Sequence, residues 1–254
     1  MMLTVTGLEA LVLSFALVCT RISGVMAGFP VFGFEVAPIQ MRVALAIGLS
    51  VVMTSALGPI SAPESLALAI AGEFITGLFL GLLVRTAMAA IEVAGEAAGV
   101  QMGFGFQKSM NPLTKEQNGP VTNLLFAIAG VLVLVSGLHL EIVRGLALSF
   151  QALPPGAAGF TGNVETLVFD SATEMMAAGF RISLPLMIVA LLTQLSFGFL
   201  TRVAPQLNVW ALGFAFMIAM GFVALLLFSP YLVREIEAVL GRGMENFLFT
   251  AAEL

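Results

Sequence analysis

The sequence predicts an all-α protein that is integral to a membrane or closely associated with one. Hydrophobic residues make up 59% of the 254 residues, charged residues make up 10%, and the mean hydropathy is +1.07. An ordinary soluble domain is roughly 45–50% apolar and 25% charged. One aqueous core cannot bury this excess, so lipid or partner subunits must cover the apolar surface that remains. Long apolar stretches separated by Pro- and Gly-containing turns indicate that the regular structure is helical.

Six apolar stretches follow one another along the chain. They cover residues 8–20, 43–57, 66–84, 121–140, 183–200 and 209–231. A helix that spans a membrane needs about 20 apolar residues. The fourth and sixth stretches meet this length, whereas the first two are short and suit half-helices or helices buried in protein. Pro185 stands early in its stretch and predicts a helix start there, and Pro205 predicts the turn before the last stretch.

Charged residues interrupt the apolar pattern in the third stretch and just after it. Glu73 lies near the middle of this stretch, and Arg85, Glu92 and Glu96 follow in a region that still favours helix. An ionisable side chain at the centre of a membrane helix costs ~2.5–3.5 kcal/mol on insertion scales unless it faces a partner or water. A simple topology of six spans is therefore not expected.

We predict a single domain over residues 1–254. Its N-terminal helical part covers residues 1–150 and contains the segment 103–119. The most polar Pro- and Gly-rich stretch beyond it, residues 151–171, is interpreted as a linker. A C-terminal helical hairpin over residues 172–254 follows.

Composition also excludes several classes of site. Cys19 is the only cysteine and His139 the only histidine, so neither an intrachain disulfide nor a zinc site is expected. The net charge is −5 and no basic run is present, which excludes nucleic acid as a partner. We expect no cofactor.

A stripe of small and acidic residues follows the third apolar stretch. At 100° per residue, Glu92, Gly95, Glu96, Gly99 and Gly103 fall within an arc of about 100° on one helix face. Small residues four apart allow another helix to approach closely. The stripe therefore predicts packing against a neighbouring subunit or a wet interface. The alternative, a catalytic carboxylate pair, lacks a nearby base, metal or nucleophile, so no enzyme activity is expected.

Polar residues in the C-terminal hairpin support the same interpretation. Arg202, Gln206 and Asn208 would be costly against lipid and favourable against other subunits or a water-filled lumen. We assign them to subunit packing.

The segment 103–119 begins with large aromatic side chains between glycines and ends in charged, turn-forming residues. Gly103 and Gly105 give the backbone freedom, while Phe104, Phe106 and Met110 supply apolar volume. Two interpretations follow from these residues alone: an ordinary loop between helices, or a movable closure of a passage.

Four motifs follow one another along the chain. The first two are Arg21 with the turn at 28–33, and Pro38 with the run at 42–50. The other two are the stretch from Glu92 to Phe106 and the run at 202–208. Together they cover nearly the whole chain, and in order and spacing they resemble the FliR family of the flagellar export gate and its counterparts in virulence type III secretion.

The resemblance implies an all-helical subunit that joins FliP-like and FliQ-like subunits, with an FlhB-like subunit as a further partner, in a helical assembly in the bacterial inner membrane at the flagellar basal body. The substrates would be unfolded exported proteins. The resemblance also favours the gating interpretation of residues 103–119, with Gly103, Phe104, Gly105, Phe106 and Met110 as the closing residues.

Two other classes of protein agree less well with the sequence. A secondary transporter of small solutes would also account for Glu73, Glu92 and Glu96, but such transporters usually contain inverted repeats, and no second copy of the pattern at 92–106 is present. An intramembrane enzyme would need a metal motif, a Ser/Lys arrangement or a pair of aspartates, and Asp170 is the only aspartate.

Overall fold

The computed structural model describes residues 5–28, 39–60, 63, 65–105, 118–157, 164–203 and 209–253, and regular structure in these ranges is entirely α-helical. The all-α prediction is therefore confirmed. The helices are α1 (Val5–Gly28), α2 (Ile39–Leu57), α3 (Leu66–Gln101), α4 (Pro120–Val135), α5 (Leu138–Ala152), α6 (Val164–Val203) and α7 (Val209–Glu253).

Five of the helices in the described ranges, α1, α2, α3, α6 and α7, are long and apolar enough to cross a membrane. The pair α4 and α5 passes the same test only when the two helices are counted together as one bent span. The prediction of a membrane-associated helical protein is confirmed at this level of length and composition.

One predicted helix is broken in two. The stretch 121–140 was predicted to be long enough for a single span, but α4 ends at Val135, α5 begins at Leu138, and the two axes differ by 66°. Gly137 precedes α5 with φ 71°, a left-handed conformation that glycine adopts without steric cost and that cannot continue an α-helix. The prediction of one continuous helix was wrong because the apolar composition of a stretch does not show where the backbone turns between two helices.

The predicted helix start at Pro185 was also wrong. Pro185 lies inside α6, which begins at Val164, within the segment 151–171 that was interpreted as a linker. Pro230 likewise lies inside α7. Proline is tolerated inside helices of membrane proteins where neighbouring groups satisfy the freed carbonyl, so it marks a helix start less reliably there than in soluble proteins.

The contacts divide the chain into two compact units. The first contains Met1–Thr86, Ser136–Ser171 and Arg242–Leu254, and the second contains Ala87–Val135 and Ala172–Gly241. Helices α3, α6 and α7 each contribute residues to both units.

The core of the first unit is apolar and joins α1, α2, α3, α5 and the end of α7. Its buried side chains are Val18, Ile22, Val25, Ala46, Met53, Leu80, Val84, Ile142, Leu146, Phe150, Met244, Phe247 and Ala251. Helices α1 and α3 approach closely at two glycines. A Cβ atom on Gly24 would lie 2.6 Å from the carbonyl oxygen of Phe74, and one on Gly77 would overlap the carbonyl oxygen of Arg21.

The second unit contains an antiparallel pairing of α6 and α7. The Tyr231 hydroxyl donates a hydrogen bond to the carbonyl oxygen of Arg181 (3.1 Å). The Phe197 and Phe216 rings pack edge to face with centroids 5.3 Å apart. Because the partner numbers rise on one helix as they fall on the other, the two helices run in opposite directions.

Candidate gating site

Helix α3 ends at Gln101 and is followed by a hydrogen-bonded cap at Gly103. The Gly103 N–H donates to the carbonyl oxygen of Val100 (3.1 Å), and the Phe104 N–H donates to that of Gly99 (2.9 Å). Gly103 has φ 92°. This pair of bonds around a left-handed glycine is the Schellman motif, which satisfies carbonyl groups at the end of a helix. Gly103 therefore terminates α3 and directs the chain into the segment that follows.

The space around Gly103 also requires glycine. A Cβ atom there would lie 2.7 Å from the Met217 methyl group and 3.4 Å from the Phe214 ring. Backbone freedom was predicted for Gly103 from the sequence. In the structure its left-handed conformation lies within a cap of two hydrogen bonds, and the neighbouring side chains leave no room for a Cβ atom.

Phe104 and Gly105 follow directly after this cap. The Phe104 ring is partly buried and packs edge to face against Phe222, with centroids 6.2 Å apart. A Cβ atom on Gly105 would lie 3.5 Å from Val100, an ordinary contact. Two further residues predicted for the closure, Phe106 and Met110, lie outside the described residues.

The other end of the segment is held by Glu96. Its Oε1 atom accepts a hydrogen bond from the Gly119 N–H (3.1 Å) and another from the Thr122 hydroxyl (3.0 Å). Pro120 is the first residue of α4, and the Asn123 N–H donates to the Gly119 carbonyl (3.0 Å) to begin the helix. Gly119 is therefore the N-cap of α4, and the carboxylate lies at the positive end of this helix.

Close packing of α3 on α4 brings Glu96 into place. A Cβ atom on Gly95 would overlap the Thr122 backbone, whereas one on Gly99 would lie 3.7 Å from Val121. Gly95 and Gly99 thus contact α4 of their own chain, and of these two only Gly95 is needed on grounds of space.

The two ends of the segment 103–119 meet at one place. A shallow concavity in the surface is lined by Gly95, Glu96, Gly99, Val100, Phe104, Gly105 and Gly119. It includes residues from the end of α3, from the start of the segment and from its end. The described residues therefore fix where the segment begins and where it returns.

The remaining residues predicted for subunit packing lie elsewhere. Glu92 and Arg202 are exposed on α3 and α6. Gln206 and Asn208 lie outside the described residues. Among the described residues, no group of three or more His, Cys, Asp or Glu side chains is placed to hold a metal ion.

Sequence reasoning missed a second polar site in the first unit. The Arg21 Nε donates to Glu73 Oε2 (2.6 Å) and one terminal nitrogen donates to Oε1 (3.1 Å). The guanidinium also donates to the carbonyl oxygens of Ser149 and Leu153 (2.9 Å each), which end α5. The Gly156 N–H donates to Glu73 Oε1 (2.8 Å). Glu73 was recognised as needing a partner, but nothing in the sequence pointed to Arg21.

Comparison with known proteins identifies the family. A family model described as bacterial export proteins, family 1, matches residues 12–243. The flagellar biosynthetic protein FliR of Bacillus subtilis is 28% identical over 244 residues, which cover 92% of this chain and 94% of that protein. Its namesake from Aquifex aeolicus is 29% identical over 83% of each chain, and the one from Escherichia coli is 25% identical over 79% of this chain and 78% of its own. Because the family match spans most of the sequence, this chain belongs to the bacterial export proteins, family 1, as its resemblance to the FliR proteins predicted.

Proposed function

We propose that this chain is a core subunit of the flagellar type III export gate, where it helps to form and to close the channel through which unfolded flagellar proteins leave the cell. The observation that carries the proposal is the anchoring of both ends of the segment 103–119 beside the end of α3. A segment fixed at both ends can close a passage without being lost from it. The chain acts as a structural component and not as an enzyme.

The surface of the helices supports a place in a membrane assembly. On α2 the buried side chains are Ala46, Ser50, Met53 and Thr54, which are small or unbranched. The exposed apolar side chains of α2 are Ile39, Met41, Val43, Leu45, Ile47, Val51, Val52 and Leu57. A helix that turns its bulky apolar groups outward requires lipid or protein as its surroundings.

The partners that we propose are those that the resemblance to the FliR proteins implies. FliP-like and FliQ-like subunits, with an FlhB-like subunit in addition, would cover the apolar faces that lipid does not reach, in the bacterial inner membrane at the flagellar basal body. Glu92 and Arg202 are exposed on long apolar helices, where an ionisable group is favourable only against water or a partner. We assign these two residues to contacts with other subunits. The family match favours export over the transport of small solutes.

Co-expression tests the assignment. The chain is extracted in detergent with or without candidate FliP-like and FliQ-like subunits, and the mass of the extracted species is measured. We expect a defined complex with the partners and an unstable or misassembled chain without them. A homogeneous, well-folded monomer that ignores both partners would contradict the proposal.

A further inference from the structure

We infer that Glu96 is a positioning residue that fixes the two ends of the segment 103–119 relative to each other. The inference rests on the proposed function, because it gives Glu96 a part in holding the channel closed. It is carried by two contacts of one carboxylate oxygen, from the Gly119 N–H and from the Thr122 hydroxyl.

Glu96 lies on α3 near the cap that follows this helix. Glu96 precedes Gly103 by about two helical turns, so both residues lie on one face of the helix and about 10 Å apart along its axis. The anchor for the start of α4 and the cap that ends α3 are therefore built on the same rigid element. We therefore expect loss of the Glu96 contact to loosen the start of α4 relative to the end of α3.

The Glu96 carboxylate is a suitable hydrogen-bond acceptor for the start of α4. The first N–H groups of a helix have no partner within the helix, and a carboxylate is the acceptor that the positive N-terminal end favours. In α4 this carboxylate comes from another helix. The contact stabilises both helices. A carboxylate on an apolar helix needs hydrogen-bond donors, and the N-terminus of α4 supplies two of them.

Close approach of α3 and α4 makes the contact possible. Gly95 lies against the backbone of Thr122, with no room for a Cβ atom between them. The neighbouring Glu96 side chain therefore reaches the first turn of α4 directly. The contact belongs to the packing of the two helices and is not an isolated surface interaction.

Accessibility of Asn118 tests the inference directly. Asn118 precedes Gly119 and is partly buried. In a Cys19→Ala background, Asn118→Cys is labelled with a water-soluble maleimide in the complex with FliP-like and FliQ-like subunits. We expect Glu96→Ala to raise the labelling rate about tenfold, because hydrogen bonds to a charged group are lost. Glu96→Gln keeps an acceptor oxygen and should label nearly as slowly as the parent.

Glu237→Ala is the matched control, since it removes an exposed carboxylate from α7 and should leave the rate unchanged. Thr122→Val removes one of the two donors and should give an intermediate rate. Equal labelling of Glu96→Ala and the parent in an assembled complex would overturn the inference.

Ionic conductance of the same complexes separates this inference from the proposed function. If deletion of residues 107–117 raises conductance while Glu96→Ala leaves labelling unchanged, the segment closes the channel and the role of Glu96 is rejected. If Glu96→Ala raises labelling while neither variant raises conductance, Glu96 fixes the two ends of the segment 103–119 and the proposed closure of the channel is rejected.

Discussion

Arg21 and Glu73 form a two-pronged ion pair between α1 and α3, and the exposed fraction of both side chains is 0%. The guanidinium also lies 4.4 Å from the centroid of the Phe150 ring and binds the carbonyl groups at the end of α5. Two charges that would each be costly in an apolar helix thus satisfy one another and join three helices.

Removing one member of this pair should destabilise the protein strongly. Arg21→Met or Glu73→Met leaves an uncompensated buried charge, which costs about 3–5 kcal/mol. The double variant removes both charges and should be more stable than either single variant. The midpoint of thermal unfolding of the purified complex in detergent measures the effect.

Arg144 and Glu141 provide a matched control for the buried pair. They form an exposed pair at 3.6 Å, and Arg144→Met should change stability by at most about 1 kcal/mol. For the buried pair, an Arg21→Met/Glu73→Met double variant that is no more stable than the less stable single variant would show that the two charges do not compensate each other.

Gly77 should tolerate no side chain. In Gly77→Ala the new methyl group meets the Arg21 backbone, so α1 and α3 must move apart at the helix surface that carries the ion pair. We expect a loss of about 1–3 kcal/mol, which is typical of overpacking. Gly48→Ala is the control, since a Cβ atom there has open space, and it should be neutral or slightly stabilising. Equal unfolding midpoints for the two variants would contradict this account of α1 and α3.

Replacement of Gly103 should destabilise the protein because its backbone has a left-handed conformation. In Gly103→Ala an alanine would have to adopt φ 92° and meet the Met217 methyl group, at a cost of about 1–3 kcal/mol. Gly130→Ala in α4 meets no neighbouring atom and should have little effect. The two variants are compared by thermal unfolding and by the yield of assembled complex. A Gly103→Ala protein as stable as the Gly130→Ala protein would argue against the helix cap.

Gly95 and Gly99 should differ in how well they tolerate replacement by alanine. Gly95→Ala forces α3 away from Thr122, whereas Gly99→Ala creates an ordinary contact with Val121. We expect Gly95→Ala to lower the yield of assembled complex, since overpacking costs about 1–3 kcal/mol, and Gly99→Ala to leave it near the parental level. If both alanine variants assemble normally, the close packing of α3 on α4 is not needed for assembly.

Most of the helices could be predicted because apolar length and proline-containing turns are local signals. The Arg21–Glu73 pair could not, because its members lie far apart in the sequence and only the packing of α1 on α3 joins them. Glu96 was assigned to packing from its place on a small-residue stripe. Its partners Gly119 and Thr122 depended on the direction in which α4 returns, which no periodicity encodes.

Gly103 carried a signal that could have been used. A glycine at the end of a long helical run, followed by an apolar residue, is typical of the Schellman cap. The error at Pro185 had the opposite origin. Proline often stands at the start of a helix. Pro185, however, lies inside the continuous helix α6.

Ion conductance through the assembled gate tests the central claim most directly. Residues 107–117 are deleted while α3, its cap at Gly103 and the start of α4 at Gly119 are kept, and the complex with its FliP-like and FliQ-like partners is reconstituted in planar bilayers. An apolar constriction excludes water and ions. Because we propose that the segment 103–119 closes the channel, removing its middle part with Met110 should leave assembly intact and raise the conductance well above that of the parent complex. An assembled deletion complex with the parental conductance would contradict the account, because it would place the seal outside the segment 103–119.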